Sequence, residues 1–277
     1  MAVTIVTDST AYLAEDIINE YDIKVVPLNV SINGEAFQEG SRYSNHDYYQ
    51  RLRSENIFPT TSRPSAGDFY EVFSKIDPGD TIIGVLISTG ISGALYSAEV
   101  ARGMLPEREI ILVDSRYTVM ALAFQVIRAA EMAREGHEVT AILAEMERIR
   151  EGTVLHFLVD DLEYLYRGGR LTRVEKLLGN VLQIKPILYM NEGKIMVYEK
   201  VRTKNKALDK ILADFTLRVK AGRVEAACIQ HVEVPEEALE LREMVEAIFD
   251  GPVLMAEEAG PVIGSHVGPG SLALAYY

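Results

Sequence analysis

Ile82-Ile83-Gly84-Val85-Leu86-Ile87 carries no polar side chain, so a strand here has no face to offer to water. Such a strand must be covered on both sides, and only packed helices or a second sheet can do that. The run passes directly into Ser88-Thr89-Gly90-Ile91-Ser92-Gly93, after which helical spacing begins near Ser92. A glycine- and hydroxyl-rich turn of this kind brings free backbone N–H groups, hydroxyls and the positive end of a helix dipole into one small volume. That is chemistry for holding an anion.

Similar apolar runs recur at Val3-Thr4-Ile5-Val6, Lys24 to Ile32, Ile110-Ile111-Leu112-Val113, Thr153 to Val159 and 224–231. Between them, helical periodicity predicts helices, including 118–134, 139–150, a segment near 171–180 and 236–249. Ser65 and Asp68 form a capping-box pattern ahead of Phe69, Val72, Phe73 and Ile76. Asn33-Gly34 and Asn191-Glu192-Gly193 read as hairpin turns. Short strands at 252–256 and 262–266 are expected to finish the chain. Alternation of this kind predicts an α/β fold: two α/β domains with mostly parallel sheets facing each other across a cleft at their strand ends. The division is expected near Arg150-Glu151-Gly152, giving domains 1–152 and 153–277. Residues 38–60 are polar, tyrosine-bearing and weakly periodic, and are expected to form a cap or lid with one helix near Asn45 to Ser54.

A chain of 277 residues with 48% apolar content can bury a large core. Its net charge of −13 argues against nucleic acid as a partner, because phosphate contacts need clustered positive charge. Cys228 is the single cysteine, which excludes disulfides and cysteine-rich metal sites. No apolar run reaches membrane-spanning length, and the N-terminus lacks a basic region followed by an apolar one. A cytoplasmic protein without stable membrane insertion is the expectation.

Four places could carry chemistry. In the 88–93 turn, Ser92 reads either as a simple N-cap or, with Gly93, as part of an anion site. The turn is not Gly-x-Ser-x-Gly, and it lacks the lysine of a phosphate loop. Thr60-Thr61-Ser62-Arg63-Pro64 gathers three hydroxyls and a guanidinium; Thr61 or Ser62 could donate to the anion held by Ser92. Arg170 follows two glycines and needs a partner, either a ligand carboxylate or an acidic side chain such as Glu163. His266 lies among small turn residues, whereas His156 reads as a core position. No second histidine stands at metal-ligand spacing, so no metal site is expected. Besides a ligand carrier, two alternatives remain open from the residues. One is a free-standing acyl hydrolase with Ser92 as nucleophile, His266 as base and Asp114 as orienter. The other is a binding module for another small anion, such as a sugar phosphate.

Seven motifs occur in order: Ile5 to Thr10, Thr61-Ser62-Arg63-Pro64, Ser88 to Gly93, Val113-Asp114-Ser115, Tyr166-Arg167-Gly168-Gly169-Arg170, Lys185-Pro186-Ile187-Leu188 and Gly264 to Gly270. Together they make essentially the whole chain resemble the DegV family, fatty-acid-binding proteins that serve as the lipid-carrying subunit of bacterial fatty acid kinase. Arg63 occupies a position at which that family varies. The resemblance implies a long-chain acyl group in an apolar tunnel at the domain interface, with no cofactor. It further implies that the carboxylate meets the hydroxyls of Thr61 and Ser92, with Arg170 and His266 nearby, and that Ser62 and Gly93 belong to the same ligand-binding set. A partner kinase subunit would bring ATP and Mg²⁺ and form an acyl phosphate, making this chain a non-catalytic subunit. Arg173, one helical turn beyond Arg170, is expected to face that partner.

Overall fold

In the computed structural model, residues 2–55, 57–171, 185–256 and 258–277 are described. The first half begins with β1 (Val3–Asp8), a single 3-10 turn at Ser9–Ala11, α1 (Glu15–Tyr21) and β2 (Lys24–Val26). Pro27 and Leu28 interrupt the apolar run, and β3 (Asn29–Ile32) leaves for a different sheet. β4 (Glu35–Gln38), α2 (Asn45–Glu55) and β5 (Thr60–Ser62) complete a cap over the site. The Asn33-Gly34 turn between β3 and β4 has φ of 52° and 86°, the left-handed geometry expected of that pair. Then follow α3 (Ala66–Lys75), β6 (Thr81–Leu86), α4 (Ala94–Gly103), β7 (Ile110–Asp114), α5 (Val119–Arg134) and α6 (Val139–Gly152). Ser65 and Asp68 form the reciprocal capping box at the start of α3.

The second half runs through β8 (Val154–Leu158), α7 (Glu163–Arg167), β9 (Lys185–Asn191), β10 (Lys194–Val201), α8 (Lys204–Lys220) and β11 (Ala227–His231). It ends with α9 (Pro235–Glu246), β12 (Val253–Met255), α10 (Pro261–Val267) and β13 (Leu272–Tyr276). The helix expected near 171–180, together with Arg173, lies outside the described residues.

Three sheets result. β2-β1-β6-β7 is parallel throughout, as the strand–helix alternation predicts. The six-stranded sheet β10-β9-β8-β13-β11-β12 departs from the mostly parallel expectation. Only its β11–β12 pair is parallel, and the other four pairings are antiparallel. The cause is the last strand: β13 returns between β8 and β11, antiparallel to both. Its sequence, Leu-Ala-Leu-Ala-Tyr, has alanine at two of its five positions and is weak in strand propensity, which is why no strand is predicted there. The third sheet, β4-β3-β5, is antiparallel and belongs to the cap.

The segment 262–266, expected as a strand, is instead the middle of α10. Pro261 stands at the first helical position after Gly260, and Gly268 ends the helix at φ 73°. Proline at a helix start and glycine just past its end favour this outcome over the local Val262-Ile263 pair.

The layers follow from which faces are apolar. α3 and α4 cover one face of the parallel sheet through Phe69, Phe73, Ala94, Ala98 and Ala101. α8 and α9 cover the outer face of the six-stranded sheet through Ile211, Phe215, Leu241 and Val245. Between the sheets lies α5, buried continuously from Val119 to Val126, touching β1 and β6 on one side and β11 and β13 on the other. The core around it includes Ile5 and Ile83 from one sheet and Leu155, Leu188 and Ala275 from the other. The cap is tied to α10 by Tyr48 Oη, 2.7 Å from Ser265 Oγ, and by Tyr49 Oη, which donates to Gly260 O at 3.0 Å. Gly264 allows this approach, since a Cβ there would collide with the buried Tyr49 ring and hydroxyl. Gly264→Ala should therefore force α2 and α10 apart and cost about 1–3 kcal/mol. A lowered urea midpoint with unchanged slope is the expected result; an unchanged midpoint would show that Tyr49 yields freely.

Candidate functional site

An apolar cavity opens where α5 begins and the two sheets diverge. It holds about 870 Å³, part of it open to solvent. Its walls are aliphatic and aromatic: Ile87 and Ile91 after β6, Leu155 and Phe157 of β8, Leu165 of α7, Met190 of β9, and Val262 and Ile263 of α10. Polar groups gather at one region of the wall: Thr61, Ser62, Arg63, Ser92, Arg170 and His266. Five of the six residues singled out for ligand contact thus meet on one cavity. Gly93, the sixth, stands behind it, and its lack of a side chain makes room for the Arg63 guanidinium.

Thr61 Oγ1 and His266 Nε2 are 2.7 Å apart, which joins the last cap strand to the last turn of α10 across 205 residues of sequence. His266 Nδ1 is buried and meets no hydrogen-bond partner. It packs against Gly168, where a Cβ would overlap the ring nitrogen. Burial, and secondarily the Arg170 charge, push the imidazole down to about 3, so the ring is neutral at neutral pH. Of the two neutral tautomers, proton on Nε2 leaves a bare lone pair at Nδ1, whereas the other leaves a buried N–H without an acceptor. The first is less costly. Nε2–H then donates to Thr61 Oγ1, leaving the Thr61 proton free for the cavity.

Arg170 forms no ion pair among the described residues. Its Nη1 donates to Gly168 O at 2.6 Å and its Nε to Ile91 O at 3.1 Å. One guanidinium thereby clamps the turn after α7 to the 88–93 turn. Glu163, the acidic partner considered from sequence, is engaged by Arg167. Burial lowers the Arg170 pKa from its usual value, but an arginine stays cationic. Arg63 lies 5.2 Å from the Tyr96 ring centroid and adds a second positive charge to the wall.

Ser92 is not the N-cap of α4. That position belongs to Gly93, and Ser92 Oγ accepts from Ala94 N at 3.3 Å. The hydroxyl proton of Ser92 has no acceptor among the described residues. The turn itself is fastened from the other half, since Ser88 Oγ donates to Gly193 O at 2.8 Å in the β9–β10 hairpin. A Ser92–His266–Asp114 relay is not assembled. His266 pairs with Thr61, and the Asp114 carboxylate accepts from the Thr89 hydroxyl, from Thr89 N at 3.2 Å and from Arg116 N at 2.9 Å.

Sequence reading passed over Thr118, Val119 and Ser271 on the same wall. Thr118 Oγ1 is buried and unpartnered, and Val119 adopts φ 51°, costly for a β-branched residue. A threonine directly before an apolar helix was the available signal. Among the described residues no cluster of three metal-ligating side chains occurs, and no helix is long and apolar enough to cross a membrane.

Two α/β layers closing on an apolar cavity, with hydroxyls, an imidazole and guanidiniums on its wall, make a site whose chemistry suits an apolar molecule with an anionic end. The chain matches the DegV family of uncharacterised proteins over residues 2–277, and it belongs to that family. A DegV domain-containing protein of Listeria innocua is 37% identical over 276 residues, covering 99% of this chain and 98% of the relative. Among solved structures, the fatty-acid-binding DegV-family protein of Thermus thermophilus superposes with a TM-score of 0.92 at 34% identity, covering 100% of this chain and 99% of that one. DegV of Bacillus subtilis, a fatty acid binding protein, gives 0.91 at 30% identity, with 100% and 99% coverage.

A neutral ring has a spectroscopic consequence. The imidazole ¹⁵N resonances of His266 in lipid-free protein should keep neutral-ring values from pH 8 to pH 5. A full protonation shift with a midpoint near 6.5 would refute the burial argument.

Proposed function

We propose that this chain binds a long-chain fatty acid in the cavity and presents its carboxylate at the polar mouth to a separate ATP-dependent kinase. The observation that carries the first part is the pairing of a large aliphatic cavity with two arginines and two hydroxyls that lack an acidic partner. The fatty-acid-binding relatives from Thermus thermophilus and Bacillus subtilis support the same ligand class. The second part rests on the resemblance to kinase lipid-carrying subunits and on the missing phosphate-loop lysine.

Magnitudes divide the labour. Burying ~15 methylenes at ~0.8 kcal/mol each yields roughly 12 kcal/mol before association costs. Hydrogen bonds to a carboxylate contribute about 1.5–3 kcal/mol each, part of which is cancelled by dehydrating the head. The tail sets affinity, and the mouth sets orientation. Thr61 and Ser92 donate to the carboxylate, Arg170 and Arg63 supply the positive field, and His266 keeps Thr61 turned correctly. A bound carboxylate would raise the His266 pKa, against the lowering caused by burial and Arg170.

Organic extraction of purified protein followed by mass spectrometry should yield long-chain fatty acid, and delipidated protein should rebind palmitate. Protein that is empty and ignores palmitate would overturn the proposal. Thr61→Ala and Ser92→Ala should each weaken palmitate retention less than about tenfold while reducing acyl-phosphate formation with kinase and ATP by more. Equal loss of both would contradict a tail-dominated affinity.

A further inference from the structure

The residue that holds the mouth in register lies outside the cavity. Glu39 follows β4 in the cap, and its carboxylate reaches the start of α10. Oε1 accepts from Val262 N at 2.7 Å and from Tyr12 Oη at 2.9 Å, and Oε2 accepts from Ser9 Oγ. Tyr12 Oη in turn accepts from Ile263 N at 3.1 Å. Ser9 Oγ accepts from Leu28 N at 3.1 Å, and Glu39 N donates to Leu28 O at 2.8 Å, which closes the network on the cap. Two of the first backbone N–H groups of α10 are therefore taken by Glu39 and by a tyrosine that Glu39 orients.

α10 has seven residues and few internal hydrogen bonds, so its position depends on what grips its ends. Val262, Ile263, His266 and Val267 all line the cavity. The same residues whose N–H groups are held from behind form the wall in front, and His266 sits one turn further along. We propose that Glu39 is a positioning residue for the carboxylate mouth: by capping α10 it sets the distance between His266 and Thr61. The proposal rests on the fatty-acid reading above only for what occupies the mouth.

No cationic side chain pairs with Glu39 among the described residues. The charged and titratable groups facing it are Asp8 at the end of β1, Tyr12 after the 3-10 turn, and Tyr48 and Tyr49 of α2. Desolvation outweighs the three donors and pushes the Glu39 carboxyl up to about 7. A carboxyl raised in this way stays protonated between about 4.5 and 7 in the folded chain while the unfolded chain is ionised. Its contribution to stability therefore falls as pH rises through that window and is constant above it. Once ionised, Glu39 accepts from all three donors and complements the positive end of α10.

The test compares wild type, Glu39→Ala and Glu39→Gln by two readouts. The first is binding of palmitate and of methyl palmitate, which has the same tail and no charge. Glu39→Ala should bind palmitate roughly tenfold more weakly and methyl palmitate within twofold of wild type, and Glu39→Gln should recover most of the loss. Equal weakening of both ligands would overturn the proposal, since that indicates a general loss of structure. The second readout needs no lipid: the His266 ring resonances should shift in Glu39→Ala. They should also show a small inflection near pH 7 in wild type that Glu39→Gln abolishes. Identical His266 spectra in all three proteins would overturn the assignment whatever the lipid result. If the wild type binds neither ligand, the fatty-acid reading fails while the resonances still decide on Glu39. Should Glu39→Ala not fold, Glu39→Asp, which keeps the charge but shortens the reach, should give the same selective loss.

Discussion

The fold is arranged around a helix whose first two turns have no outside. α5 meets the parallel sheet on one face and the six-stranded sheet on the other, and its residues from Val119 to Val126 are all buried. A helix in that position cannot be amphipathic, and it holds two sheets apart by its own diameter. Where it begins, at Thr118 and Val119, the sheets remain separated but nothing fills the gap. The cavity is the volume left by the start of α5. Much of its apolar wall is the inner face of the six-stranded sheet, which had to be apolar anyway to pack on the helix, and the rest comes from the turn after β6 and from α7 and α10. Ligand space and core therefore share one physical origin, and the positive φ of Val119 is a local cost at the place where they meet.

The mouth is assembled from the ends of elements, which explains both what could be read in the sequence and what could not. Thr61, Ser62, Ser92 and Arg170 were legible because turn residues punctuate the apolar runs, and a hydroxyl or guanidinium in such a turn has few structural uses. The parallel sheet was legible for the same reason: β1, β6 and β7 are near-continuous apolar runs separated by helical spacing. The six-stranded sheet was not. Its order depends on β13, whose alternating alanines suit a crowded central position and carry little strand signal. α10 was misread because Val262-Ile263 looks like a strand until the proline before it and the glycine after it are weighed. Glu39 left no trace, since a single glutamate between Gln38 and Gly40 reads as a solvated loop residue. Its role exists only because β4 and α10, more than 220 residues apart, meet in the folded chain.

Charge shows the same dependence on tertiary placement. The chain carries a net −13, yet two arginines without an acidic partner among the described residues line one cavity. Several other arginines are neutralised close by: Arg167 by Glu163, Arg150 by Glu147, Arg128 by Glu131. Arg170 instead spends its donors on the carbonyls of Ile91 and Gly168, which fixes the guanidinium without cancelling its charge. A cation held by neutral acceptors in a partly buried site keeps most of its field for whatever enters. Together with burial, the larger cause, it favours a neutral His266.

That neutrality bears on what the mouth can do to a bound acid. A hydroxyl becomes a nucleophile when a neighbouring base takes its proton and an acidic group steadies the resulting cation. Here the candidate base is engaged with Thr61, its basicity is suppressed by burial and by Arg170, and the candidate orienter Asp114 is committed to Thr89 and Arg116. The features that disfavour activation of Ser92 are the ones that suit recognition of a carboxylate: fixed donors, a positive field, and no competing anion. The geometry separates holding from reacting, and it does so with the same histidine that, more basic and paired with Ser92 instead of Thr61, would serve as the base.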